Sequence, residues 1–193
     1  MSQTASRSPT DDVPFGVGAV AGVAAYALGY LVTYLWQSGA VREQLNAFNF
    51  LAELLGGDPI PVWKGVGWYF YNAHFVDVLV PGLGGARTAN FIASADGGNI
   101  ALLYAVPPVL LLLAGAAAGA LSDADVPSDG AVAGLSVVPA YFVFAAAGTF
   151  LFAYGVGDAG SVHPDYVTGV LLAGVVYPAV FGGVGGAAAS LFE

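Results

Sequence analysis

Hydrophobic positions fall in four long blocks that no Asp, Glu, Lys or Arg interrupts: residues 13–41, 97–122, 130–157 and 166–192. Each is longer than the ~20 apolar residues a helix needs to cross hydrocarbon. The pattern predicts membrane helices at Phe15–Trp36, Ile100–Leu121, Ala131–Tyr154 and Val167–Leu191, with Gly-, Pro-, Ser- and Asp-containing loops between the last three. The first block exceeds the roughly 7–15 apolar residues of a cleaved signal peptide, and Asp11 and Asp12 stand just before it. Residues 1–12 read as a disordered polar tail and residues 13–193 as one integral membrane domain.

Between Trp36 and Ile100 the pattern changes. "AVREQLNAFNFLAELL" places Val41, Leu45, Phe48, Ala52 and Leu55 at helical spacing, with Arg42, Glu43, Asn46, Asn49 and Glu53 mostly opposite. This is an amphipathic helix, lying along the interface or packed in a small ectodomain. After "GGDPIP", the stretch Gly65–Val80 is short for a ~30 Å crossing at ~1.5 Å per residue. Asp77 near its end would cost about 3 kcal/mol in lipid. Trp63, Trp68, Tyr69 and Tyr71 are residue types that favour the headgroup layer. "VDVLVP" and "RTANFIAS" flank the glycine turn "GLGGA", the signature of a hairpin. An interfacial helix followed by a hairpin is the preferred reading, and a short fifth crossing is the alternative. The expected fold is an all-α membrane protein: a four-helix transmembrane bundle with a small external cap of interfacial helices and a β-hairpin over residues 37–99.

Composition narrows the class. The chain is 58% hydrophobic and 9% charged, with mean hydropathy +0.76. An ordinary soluble domain is about 25% charged, so these side chains cannot solvate a globule of this size. Net charge is -9, and Lys64 is the single lysine. Nucleic acid is excluded as a partner, since phosphates need clustered Lys and Arg. An acidic, lysine-poor surface suits strong brine. Without cysteine there are no disulfides or thiolate metal sites. Tyr34, Trp36, Tyr104, Tyr154 and Tyr166 gather at helix ends on the side of the long connection. The expected orientation has the termini cytoplasmic and that connection outside.

"GAVAG" occurs at Gly18–Gly22 and again at Gly130–Gly134, and "PVLLLLAGAAAGAL" aligns with "PAVFGGVGGAAASL". The pattern suggests a 2+2 duplication of helix hairpins, although common small residues make such matches cheap. Each helix or its start carries a glycine pair four apart: Gly18/Gly22, Gly115/Gly119, Gly130/Gly134 and Gly182/Gly186. Such pairs let two backbones approach closely, here within the bundle in preference to a homodimer. Pro107, Pro108, Pro139 and Pro178 should disturb the helices that contain them.

None of the four helices carries an ionisable Asp, Glu, Lys, Arg or His, the groups on which proton relays, ion-coupled carriers and intramembrane proteases depend. An enzyme is therefore not expected. Outside them, His74 and Asp77 share one side of the membrane with His163 and Asp165 in the four-crossing topology. Two imidazoles with carboxylates could ligate a divalent ion. In the ordinary reading, Pro164 and Asp165 open the last helix and His74 is interfacial. No metal or cofactor is expected.

The segment "GWYFYNAHFVD", with charge-poor Gly/Ala helices and acidic loops, resembles uncharacterised multi-pass membrane proteins of halophilic archaea. The resemblance implies a place in the cell membrane, without an activity or catalytic residues. The expected role is a structural or interaction protein contacting lipid, itself or another membrane protein. Its rival is a small permease or channel subunit with a path along the Tyr- and Pro-containing helix faces.

Overall fold

The structure, a computed structural model, describes residues 14–54, 58–82, 85–157 and 160–192. The expected polar tail, residues 1–12, lies outside the described residues, as do two residues of the "GLGGA" turn.

The first helix, α1 (Phe15–Leu54), runs unbroken for 40 residues. It joins the first predicted crossing to what the sequence pattern reads as a separate amphipathic helix. Nothing in "WQSGAVREQ" stops it, because a lone Gly39 costs only about 1 kcal/mol and good helix formers surround it. At ~1.5 Å per residue α1 is about 60 Å long, twice the thickness of bilayer hydrocarbon.

The second helix, α2 (Val62–Asn72), corrects the interfacial expectation. Every residue from Gly65 to Asn72 is buried. The helix folds back along α1 and enters the bundle. Two glycines make room: a methyl on Gly65 would press on Val41 and Leu45, and one on Gly67 would overlap the Phe152 ring. Phe70 crosses α1 above Gly29 and meets Tyr26 and Tyr30 edge-on, with ring centroids 5.1 and 6.1 Å apart. The aromatic residues that favour a headgroup layer are thus satisfied inside the protein, where their apolar bodies pack and their polar tips find acceptors.

The other long helices depart from α geometry near each proline. A 3-10 turn, Ile100–Ala105, leads into α3 (Val106–Ala120), whose first turn holds Pro107 and Pro108. The next stretch is two segments, α4 (Pro127–Leu135) and α5 (Val138–Leu151), broken just before Pro139. There Ser136 Oγ donates to the Ala133 carbonyl at 2.5 Å. The last helix, α6 (Tyr166–Ala189), widens to π geometry over Gly169–Val176 and Pro178–Gly182. Among the described residues four stretches are long and apolar enough to cross a membrane: Phe15–Phe50, Ile100–Ala120, Pro127–Leu151 and Tyr166–Ala189.

Glycine sets how closely these helices approach. Gly182 and Gly186 of α6 wedge between Gly115 and Gly119 of α3 on one side and Gly134 and Gly130 of α4 on the other. A methyl on Gly115 or Gly134 would overlap the Gly182 carbonyl. Gly18 and Gly22 of α1 lie against Ser136 and Val137. In lipid, where no hydrophobic drive joins helices, such backbone proximity is a main source of cohesion.

The expected hairpin is present as β1 (Val78–Val80) and β2 (Arg87–Ala89). It is half of a larger object. The loop before α6 supplies β3 (Tyr154–Gly155) and β4 (Ser161–Pro164), giving an antiparallel sheet in the order β2-β1-β4-β3. Val78 pairs with Ala89 on one side and Pro164 on the other.

Gly115→Ala should destabilise the protein by about 2–3 kcal/mol, as overpacking at a backbone contact does. Gly16, with no described residue crowding it, is the control, and Gly16→Ala should be neutral or slightly stabilising. Thermal denaturation of both variants in detergent checks the pair.

Candidate functional site

The densest polar cluster lies where α2 ends inside the bundle. The helix closes in a Schellman turn: the Val76 N–H donates to the Tyr71 carbonyl at 3.1 Å, and the Phe75 N–H to the Asn72 carbonyl at 2.9 Å. Phe75 takes the left-handed position at φ 57° that glycine normally fills. Its ring stacks on Tyr104 with centroids 4.3 Å apart.

His74, fully buried, caps this turn. Its Nδ1 lies 2.8 Å from the Phe70 carbonyl, which can only accept, so Nδ1 carries the proton. Nε2 then accepts from the Tyr141 hydroxyl at 2.7 Å. Tyr177 of the π-helical stretch packs its ring 5.0 Å from the imidazole. Burial disfavours the imidazolium and pushes the His74 pKa down to about 4.

Neighbouring groups bind α2 to the rest of the fold. Asn72 is fully buried; its amide donates to the Val76 carbonyl at 2.8 Å and to Ala89 at 3.4 Å, and its oxygen accepts from Phe91 N–H at 2.8 Å. One side chain therefore ties the end of α2 to the chain entering β1, at Val76, and to β2 and the residues after it, at Ala89 and Phe91. The Tyr71 hydroxyl donates to the Ala145 carbonyl and accepts from Thr149 Oγ1 at 3.2 Å. Tyr26 directs its hydroxyl toward the same glycine, Gly148, as Tyr71 does, yet has no hydrogen-bond partner among the described residues.

Nearer the sheet, α2 caps α5. Trp68 Nε1 donates to the Phe152 carbonyl at 2.9 Å, and Lys64 Nζ donates to Ala153. A cation at a helix C-terminus also complements its dipole.

The four polar residues singled out by the sequence are not gathered into one site. Asp77 lies beyond the end of α2, so it does not share a helical face with His74. Its backbone carbonyl accepts from Asp165 N–H at 2.8 Å. The Asp165 carboxylate caps α6, accepting from Thr168 N–H and Oγ1 at 2.8 Å each. Those bonds hold its carboxyl below the usual range. His163 donates Nδ1–H to the Pro164 carbonyl at 2.8 Å and stacks on Tyr166 at 4.0 Å. Both ring nitrogens of His74 are engaged in the core, leaving none for a metal. Among the described residues no three His, Asp or Glu stand together as a metal set. The sequence pattern singles out His74 without pointing to Tyr141 as its partner, and it assigns no role to Asn72 or Lys64. The polar residues within the otherwise apolar "WYFYNAHF" are the signal that α2 enters the core.

A family model described as a family of unknown function (DUF7978) matches residues 1–193. No curated protein matches the chain, and no solved structure does.

A neutral buried imidazole makes stability depend on pH. The unfolded His74 binds a proton below its ordinary 6.5, whereas the folded one does not until about 4. Stability should therefore be complete above pH 6.5 and fall, on the order of 1 kcal/mol per pH unit, as pH drops from 6.5 toward 4. Denaturation of His74→Gln in detergent should lose this slope. The Asp165 contribution is lost only at pH below its ordinary 3.8, so the two windows are separable.

Proposed function

The chain belongs to the DUF7978 family, a family of unknown function, and from its own geometry we propose a non-enzymatic integral membrane protein. In this reading it crosses the cell membrane four times, with its termini cytoplasmic, and offers an outer cap to itself or to another membrane protein. The acidic, lysine-poor composition supports a high-salt setting such as that of halophilic archaea.

One observation carries this reading: α2 occupies the space between the long helices. Its polar side chains Trp68, Tyr71, Asn72 and His74 bond to neighbouring protein groups. A core filled in this way supports a closed, load-sharing bundle more than a conduit. Outward faces add support, since Leu28, Leu35, Leu113, Val143, Phe150, Leu171 and Val180 are all exposed. Such faces suit lipid tails. The pairing of β1 with β4 joins the long connection to the loop before α6. Both segments then lie on one side of the membrane, which favours an even number of crossings.

The rival reading, a small permease or channel subunit, draws on two features. The Tyr26 hydroxyl is buried without a partner among the described residues. The π-helical turns around Pro178 face the same cluster through Tyr177. Wide helical turns often mark sites that move.

Single cysteines read from outside intact cells test the topology, because the native chain has none. Asp58→Cys, Gly85→Cys and Gly160→Cys should be labelled and Asp125→Cys protected. Labelling of Asp58→Cys and Gly85→Cys from opposite sides would establish a fifth crossing instead. Reconstituted vesicles should stay impermeable to ions and small polar solutes; a flux above that of empty vesicles would favour the permease.

A further inference from the structure

The outer half of α1 carries a stripe that the described residues leave bare. Trp36, Ala40, Glu43, Ala47, Phe50 and Leu54 recur at alternating spacings of four and three, the seam of a coiled coil. All six are exposed, with Trp36 43%, Phe50 62% and Leu54 67% accessible. The opposite face is engaged: Val41 and Leu45 cover Gly65 of α2, and Asn49 bonds the Ile60 backbone in both directions.

Lower on α1, α3 covers the same face, and Leu110 packs over Gly29. Between these coverings lies an apolar depression of about 250 Å³, lined by Val32, Ala105, Val106, Val109 and Leu110. The stripe therefore continues a helix interface already used inside the protein, and it begins at an open hollow. Lipid is a poor occupant for the upper part, because Arg42, Glu43, Asn46 and Glu53 are exposed beside it.

We infer that the stripe from Trp36 to Leu54 pairs with the same stripe of a second copy as a short parallel coiled coil, with Trp36 of each copy seated at the other's depression. This inference rests on the membrane reading above. Two copies in one membrane carry α1 the same way up, so the symmetric pair has its axis along the membrane normal and its helices parallel. The apolar contact removes on the order of 400 Å² per copy, about half of what a stable soluble complex uses per partner. Confinement to one membrane plane has already removed part of the freedom that association costs in water, so the smaller area is sufficient. Glu43 interrupts the apolar seam. In the pair it faces its own copy, and this like-charge contact keeps the association reversible.

The test is disulfide cross-linking of the full chain in its own membranes, with single cysteines. Ala47→Cys should form a dimer of twice the chain mass on oxidation, and Gln44→Cys, on another face, should not. Adding Phe50→Glu to Ala47→Cys should lower the dimer yield several-fold, and adding Glu43→Leu should raise it. Both changes are at exposed positions, so the fold should survive them. A membrane-bound Ala47→Cys chain that stays single, links to a protein of different mass, or cross-links no better than Gln44→Cys overturns the pairing and leaves the membrane reading intact. Recovery of the chain in the soluble fraction overturns the membrane reading and the pairing with it.

Discussion

A helix that ends among other helices must find partners for its last carbonyl groups, and α5 finds them on α2. The indole of Trp68 donates to Phe152, the ammonium of Lys64 donates to Ala153, and the hydroxyl of Tyr71 reaches back to Ala145. Buried polar groups without partners cost roughly 1–3 kcal/mol each. These contacts therefore decide where α2 sits. Once it is placed, its far end brings His74 to Tyr141 and Tyr177, and Asn72 to Ala89 of β2 and to Val76 and Phe91 on either side of the hairpin. The sheet then closes over the loop before α6, whose first turn Asp165 caps. The chain order helix, inserted helix, hairpin and sheet follows from that single docking.

The four long helices are legible in the sequence because charge is absent from them in blocks, and lipid tolerates little else. Their glycine pairs are legible for the same reason, since close packing is what joins apolar helices; the contacts of Gly182 and Gly186 with α3 and α4 fall within the chain. The course of α2 is less legible. Trp, Tyr, Asn and His have the same amphipathic character whether they sit in headgroups or against buried carbonyls. The destination of Trp68 and Tyr71 depends on acceptors contributed by residues 145–152, and that of His74 on Tyr141, all far away along the chain. The continuity of α1 is hidden too, because the change at Trp36 from apolar to amphipathic residues alters the character of the sequence and not the geometry of the helix. The β3–β4 hairpin escapes notice because its two strands are short, at Tyr154–Gly155 and Ser161–Pro164. The pairing of β4 with β1 is a tertiary event.

The candidate site is partly legible for a related reason. His74 and Asp77 are close in sequence and read as a pair, but the Schellman turn at Phe75 sends them in different directions. His163 and Asp165 keep local roles, one stacked on Tyr166 and the other capping α6. What remains is one neutral imidazole locked between a carbonyl and a phenol. That arrangement suits a structural keystone. It also explains how Asn72 and His74, at the end of α2, are held in an apolar bundle without a charge of their own.

The account depends on α2 residing inside the bundle and not on its surface. Amide hydrogen exchange of the protein in lipid nanodiscs, resolved along residues 62–76, tests this directly. Protection of Val66–Asn72 approaching that of α3 and α5, with the Val76 amide also slow, is the predicted result. Exchange of this stretch at the rate of the exposed strand β2 would contradict it, leaving α2 an interfacial helix and the cluster around His74 unformed.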